Sequence, residues 1–340
     1  MITRRYAAAA IAIVAVVAAA RAADTPAKNR TTPWISSSNA SYVSLPRIVK
    51  EYAHDSGAFT QGLVFGADGA LYESDGLYRK SRVRRVELDT GKTLAKNLNA
   101  NEHFGEGLAA IGEKLYQLTW REGAMHEYDT KTLRRLSTRA QPFHGEGWGL
   151  AYDETTGLAY GTDGTHRVHV LRPAHNWAAL HVLRVKDERL GGTLIEGLNE
   201  LEMVEGELWA NVLPLRYHKA SPCVGLRCRH MRRLRRQYLN TQVARIDINT
   251  GNVLGWVDLS ALRDKQSSRV RRQPHHFVTN GIAYRRAPGR PQLLATGKQW
   301  DSMFDIDLEA SNLGPDHVRS RCDLYLSPTN SHRSSSLFSH

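Results

Sequence analysis

A lone carboxylate stands between glycines and apolar residues in Phe104-Gly105-Glu106-Gly107-Leu108. Partial burial in such a setting raises a carboxyl pKa and suits it to move protons near neutrality, so Glu106 is the first candidate for an acid/base. The competing account is a glutamate that satisfies backbone donors in a tight turn. Phe59 and Gln61, Glu146 and Trp148, Asn199, and Asn280 occupy matching points of other segments, and Trp120 and Lys298 follow in second-strand positions. Gathered together, these residues make a mouth of amides, one or two carboxylates, an ammonium and indole rings. Each of Trp120, Trp148 and Trp209 is equally a candidate for plain core, and Lys298 for a weak ion pair on the rim.

Matching points exist because the sequence repeats a design at intervals of about 40 residues. One unit opens at Gln61-Gly62-Leu63 and the next at Gly105-Glu106-Gly107-Leu108. The others open at Gly145-Glu146-Gly147-Trp148-Gly149-Leu150, at Leu198-Asn199-Glu200-Leu201-Glu202, and at Thr279-Asn280-Gly281-Ile282. Within each, short alternating or β-branched runs are joined by Gly, Asp and Asn turns, which is the chemistry of strands and hairpins. Four strands in each of five units predict an all-β fold, a five-bladed β-propeller over residues 42–310 whose innermost strands face one central cavity. Residues 47–52 are placed to supply the strand that closes the last blade, which leaves no open edge. An irregular β-sandwich is the alternative.

The chain has 340 residues, and 46 Lys+Arg against 34 Asp+Glu give a net charge of +12. With 41% hydrophobic residues it can bury a sizeable core, which excludes an acidic solvating protein and a minimal disulfide-stapled peptide. Three cysteines set no disulfide framework. Arg4 and Arg5 precede an apolar run that ends at Ala20-Arg21-Ala22, so residues 1–22 read as a signal peptide, with an uncleaved anchor as the alternative. The run falls short of the roughly 20 apolar residues of a membrane span. A flexible polar segment is expected over 23–41, with glycosylation acceptor patterns at Asn29 and Asn39, and a disordered tail over 311–340 that is Ser-rich from Ser320. The expected location is the secretory pathway or the cell exterior.

Residues 214–240 form a basic insertion, with Arg216, Lys219, Arg227, Arg229, Arg232, Arg233, Arg235 and Arg236 and no acidic residue. Such charge suits a weak contact with a polyanion or an acidic surface. A solvated loop is the plainer account, because no aromatic residue interleaves the arginines of 227–236. Cys223, Cys228, His218 and His230 lie in the same stretch, but their spacing matches no well-formed zinc signature.

Eight ordered motifs resemble those of plant- and bacterial-type glutaminyl-peptide cyclotransferases. They are Phe59-Thr60-Gln61-Gly62-Leu63, Phe104-Gly105-Glu106-Gly107-Leu108, Leu118-Thr119-Trp120 and Gly147-Trp148-Gly149-Leu150, then Leu198-Asn199-Glu200-Leu201-Glu202, Trp209-Ala210-Asn211, Asn280-Gly281-Ile282-Ala283-Tyr284 and Thr296-Gly297-Lys298-Gln299-Trp300. The resemblance runs from about Tyr42 to Glu309 and implies a five-bladed propeller that converts N-terminal glutamine to pyroglutamate with loss of ammonia. It carries Glu106 over as the catalytic acid/base, Gln61, Asn199 and Lys298 as polar groups of the site, and Phe59, Trp120 and Trp148 as its aromatic walls. It implies no cofactor and no metal; the partners are peptides and proteins with N-terminal Gln, not nucleic acid, and the chain is expected to be a monomer. Leu213 stands where plant members have a further Trp, and the basic insertion follows at once, so the resemblance speaks more firmly to reaction type than to substrate range. Two rival functions come from other classes. Glu106, Asn199 and Asn280 are oxygen ligands of the kind a Ca²⁺-dependent lactonase-like hydrolase uses, and a propeller with a basic loop also serves as a non-enzymatic binding platform.

Overall fold

The computed structural model describes residues 41–213 and 241–322. The signal peptide, most of the polar segment, the basic insertion with Cys223 and Cys228, and the end of the chain lie outside the described residues.

Strands dominate. Three antiparallel sheets follow one another: β2 to β5 (Thr60–Phe65, Leu71–Asp75, Arg82–Val86, Thr93–Leu98), β6 to β9 (Gly105–Ile111, Lys114–Thr119, Ala124–Asp129, Arg135–Ala140) and β10 to β13 (Leu150–Asp153, Leu158–Thr162, Arg167–Arg172, Ala178–Arg184). After the short pair β14 (Lys186–Asp187) and β15 (Thr193–Leu194) come two further four-strand sets. One is β16 to β19 (Leu198–Val204, Glu207–Val212, Gln242–Asp247, Val253–Asp258). The other is β20 to β22 (Thr279–Arg285, Gln292–Gly297, Ser302–Ala310) completed by β1 (Val43–Ala53). β1 runs antiparallel along β22, from Ser44 opposite Ala310 to Ala53 opposite Ser302, so the first strand finishes the last set as residues 47–52 led us to expect. Its first residues also pair in parallel with β19, at Val43 with Trp256 and Ser44 with Val257, which joins the last two sets into one eight-stranded sheet.

In the first three sheets burial falls towards the last strand, while β19, the last of the fourth set, is buried except at Leu254. β3 is wholly buried and β16 nearly so, whereas β5, β9 and β13 are mostly exposed. Apolar clusters fill the spaces between neighbouring sheets. Leu63 and Leu71 pack on Ala283, Leu294 and Met303; Tyr72 and Val83 on Leu108, Leu115 and Tyr128; Leu118 and Met125 on Leu150, Ala159 and Leu171; Tyr160 and Val170 on Leu198, Leu201 and Leu208. The first strands touch in succession, β2 with β6, β6 with β10, β10 with β16, β16 with β20, and β20 with β2. That contact explains the recurrent Gly in the unit openings: a Cβ on Gly107 would strike the backbone of Leu150, and one on Gly149 the carbonyl of Asn199.

Two features depart from the sequence reading. Between β19 and β20 the chain forms two short helices, α1 (Ser260–Lys265) and α2 (Ser268–Arg272), which the repeat did not predict. The expected tail from 311 is corrected in its first part: α3 (Pro315–Cys322) packs against β18, and Val318 is fully buried among Trp256 and Val253. Leu313 packs partly against the same cluster, and two apolar residues five apart are too weak a pattern to separate the segment from a Ser-rich tail.

Candidate functional site

One cavity of about 450 Å³ gathers all seven candidate site residues: Phe59, Gln61, Glu106, Trp120, Trp148, Asn199 and Lys298. At its floor Glu106, the second residue of β6, is buried, and its Oε1 accepts the Gln61 Nε2 amide at 2.8 Å. Gln61 is itself oriented, because its Oε1 accepts Asn280 Nδ2 at 3.0 Å, and the same Asn280 nitrogen donates to the Thr60 carbonyl at 2.9 Å. Below it Ser74 Oγ donates to the Glu106 carbonyl at 2.5 Å and accepts Gln117 Nε2 at 2.7 Å. Burial holds the Glu106 carboxyl well above the usual carboxylate range; Lys298 pulls it back down, and the charges of Glu146 and Glu122 push it further up.

Lys298 follows β21 directly and is anchored by its backbone N–H on the Val278 carbonyl at 2.9 Å. Its ammonium lies 4.8 Å from the centre of the Phe59 ring. Burial pushes its pKa down to about 8, with Glu106 opposing that fall. Asn199, on β16, accepts nothing at its carbonyl end: the buried Oδ1 has no hydrogen-bond partner among the described residues. A buried acceptor without a donor in a cavity wall is a place for a ligand N–H.

The walls are aromatic. Phe104 touches Phe59 edge-on at 6.1 Å, Tyr78 at 5.4 Å and Trp120 at 5.4 Å between ring centres. Trp120 lies one residue beyond β7, and Trp148 lies in the loop before β10. Both indole N–H groups end on the same oxygen, Glu146 Oε2, at 2.8 and 3.0 Å. Arg121 donates from Nε to Glu146 Oε1 at 2.9 Å and stacks on the Trp120 ring at 3.8 Å.

Leu213, which the sequence set where plant members have a further Trp, lines the cavity, and several of its other residues were not singled out from the sequence. Phe104 and Val278 are buried in its wall, Leu77 is half-buried, as is Leu213, and Arg121, His275 and His276 are the exposed side chains of its mouth. The two histidines come from the excursion between β19 and β20, which lies outside the repeat and so had no positional signal. Asn280 was expected at the mouth; it is fully buried under the floor and orients Gln61 instead. Trp209 is core, with Nε1 on Glu207 at 3.2 Å. The arrangement combines one proton-active carboxyl, one ammonium, one orphan acceptor and a tight aromatic enclosure, which suits proton transfer on a short, folded, amide-bearing substrate.

Comparison with known proteins places these features in context. A family profile described as glutamine cyclotransferase matches residues 10–218 and 226–308. The chain is 34% identical to a glutaminyl-peptide cyclotransferase of Arabidopsis thaliana over 284 residues, which are 81% of this chain and 75% of that protein. Among solved structures, the Myxococcus xanthus glutaminyl cyclase superposes with a TM-score of 0.63 at 30% identity, covering 80% of this chain and 100% of that one.

Proposed function

The chain belongs to the glutamine cyclotransferase family and converts N-terminal glutamine to pyroglutamate, and we propose that Glu106 carries the proton in that reaction while Lys298 and Asn199 hold the substrate amide. The observation that carries this reading is the buried Glu106 carboxyl, oriented by Gln61 on the floor of an aromatic cavity that also contains the Lys298 ammonium.

In the reaction the α-amine of the substrate attacks its own side-chain amide carbon. A C–N bond forms to close the five-membered ring, the bond to the amide nitrogen breaks, and ammonia leaves. Both reactants belong to one residue, so holding the folded conformer supplies much of the acceleration. Phe59, Trp120 and Trp148 restrict the glutamine side chain without competing hydrogen bonds. As the neutral amine adds, its nitrogen becomes acidic. The Glu106 carboxylate accepts that proton and returns it to the departing nitrogen, so the carboxyl ends the cycle as it began, a service typically worth about 100- to 10,000-fold. Lys298, charged below about 8, stabilises the oxyanion of the tetrahedral intermediate, and the unpartnered Asn199 Oδ1 accepts an N–H of the substrate amide.

For the fold we infer a five-bladed propeller. Its support is the succession of contacts among β2, β6, β10, β16 and β20, which returns from β20 to β2, and the outer position of β1 on β22. The expected substrates are peptides and proteins with N-terminal glutamine. Incubating purified protein with a Gln-initiated peptide, with and without a chelator, tests the reading. Loss of one ammonia per peptide, unchanged by the chelator, is the expected result; no ammonia from any Gln-initiated peptide overturns it.

A further inference from the structure

We propose that Glu146 is a positioning residue for the cyclisation, clasping the indoles of Trp120 and Trp148 so that the two walls close on the glutamine side chain. The proposal rests on the cyclotransferase reading of the cavity and assigns a role to a residue outside its lining.

The two indoles come from different sheets. Trp120 extends the second strand of one, and Trp148 precedes the first strand of the next. A single oxygen, Glu146 Oε2, accepts both N–H groups, at 2.8 and 3.0 Å, so the separation of the two rings is set by one atom. The other oxygen is not idle: Arg121 Nε donates to Oε1 at 2.9 Å, and the guanidinium covers the outer face of Trp120 at 3.8 Å. On its inner side Trp120 meets Phe104 at 5.4 Å. An ionised acceptor makes stronger hydrogen bonds than a neutral one, and an indole N–H facing a cavity otherwise competes for substrate oxygens. With both N–H groups committed, the walls present ring faces and edges to the glutamine rather than donors.

The Glu146 side chain is 31% exposed, so the clasp is not a core element on which folding depends. Its charge also acts on Glu106. The charged groups bearing on that carboxyl are Lys298, which favours ionisation, and Glu146 and Glu122, which oppose it. The Glu146 carboxylate therefore does two separable things, as an acceptor for the indoles and as a negative charge near the proton carrier.

Two substitutions separate them, with ammonia release from a Gln-initiated peptide as the assay and near-ultraviolet circular dichroism as a readout of the indoles. Glu146→Gln keeps a carbonyl acceptor but removes the charge. Its KM stays within about threefold of wild type, and the acid limb of its kcat/KM profile moves to lower pH because Glu106 ionises more readily. Glu146→Ala loses the acceptor. Its KM rises about 10- to 100-fold, more than kcat falls, its aromatic dichroism changes, and its Tm stays near wild type. A wild-type KM and unchanged dichroism in Glu146→Ala overturn the proposal, as does equal impairment of both variants or a loss explained by a fall in Tm alone. Failure of the wild type itself to release ammonia is a different result, and sinks the cyclotransferase reading instead.

Discussion

Gln61 and Glu106 are bound to each other across two sheets, Nε2 to Oε1 at 2.8 Å, so the carboxyl proposed to carry the proton is oriented by an amide on the neighbouring first strand. Asn280 holds that amide in turn, from a third strand. Glu106→Gln preserves the shape of the floor and removes the group that takes and returns the proton. The variant is expected to fold with unchanged circular dichroism and to lose about 100- to 10,000-fold in kcat, with KM little altered because the aromatic walls and Asn199 remain. Steady-state ammonia release checks it; a folded Glu106→Gln with wild-type kcat defeats the assignment.

Lys298 is expected to set the alkaline limb of the pH profile. The rate rises with pH as Glu106 ionises and as the substrate α-amine, with an ordinary pKa of about 7.7–8.0, is freed. Burial brings Lys298 down to about 8, so the oxyanion loses its ammonium just above the same pH, and kcat/KM passes through a narrow maximum. Arg keeps its charge throughout this range. Lys298→Arg should therefore lose the alkaline limb while retaining activity, whereas Lys298→Met should fall by roughly 100-fold below about pH 8, with the gap closing above it as wild type loses the same charge. An alkaline limb that persists near 8 in Lys298→Arg assigns it to another group.

The parts of this molecule that the sequence made legible are those under local constraint. β2, β6 and β20 carry buried apolar residues and a Gly where a neighbouring strand approaches, β16 carries the apolar residues alone, and β2, β6 and β16 place Gln61, Glu106 and Asn199 at matching points. β5, β9 and β13 read as Thr-Leu-Ala-Lys-Asn-Leu, Arg-Leu-Ser-Thr-Arg-Ala and Ala-Ala-Leu-His-Val-Leu-Arg, mostly exposed, and are strands because a neighbour offers its edge rather than because of their own pattern. His275 and His276 reach the cavity from an excursion between units, so no periodicity announced them. The clasp at Glu146 was hidden for another reason. Its partners come from two sheets, and a shared acceptor is a relation of three side chains that no spacing along one strand encodes.

Glu200 offers a stability test independent of activity. It is buried on β16, and burial raises its pKa to about 8 although the backbone N–H groups of Ile282, Leu63 and Gly281 pull it down. A carboxyl whose folded pKa lies above its unfolded value of about 4.3 binds its proton more tightly when folded. Its contribution is thus complete below that unfolded value and is lost as pH rises towards 8. For one proton the slope approaches about 1.4 kcal/mol per pH unit. Glu202 has a raised pKa of the same sign, so the informative quantity is the difference between wild type and Glu200→Gln. In urea unfolding that difference should favour wild type more at pH 5 than at pH 8; a constant difference would show that Glu200 is not proton-bound in the folded protein.

Gly164 supports the Trp148 wall from behind, and the claim can be tested against a control that shares its backbone but not its neighbour. Its φ of +77° disfavours any residue with a side chain, and a Cβ built there would lie 2.6 Å from Cε2 and Cζ2 of Trp148. Gly112, in the turn between β6 and β7, has a φ of +57° and nothing within 4 Å of the same position. Changing either Gly to Ala introduces left-handed strain of about 1–2 kcal/mol. In Gly112→Ala that is the whole effect, a modest fall in Tm with KM and kcat unchanged. In Gly164→Ala the methyl also drives the indole forward, away from its bond to Glu146 Oε2. KM for a Gln-initiated peptide should then rise about tenfold or more, a change that the control lacks at comparable stability. Equal kinetics in the two variants would mean that the wall yields without consequence and that Trp148 does not shape the bound glutamine.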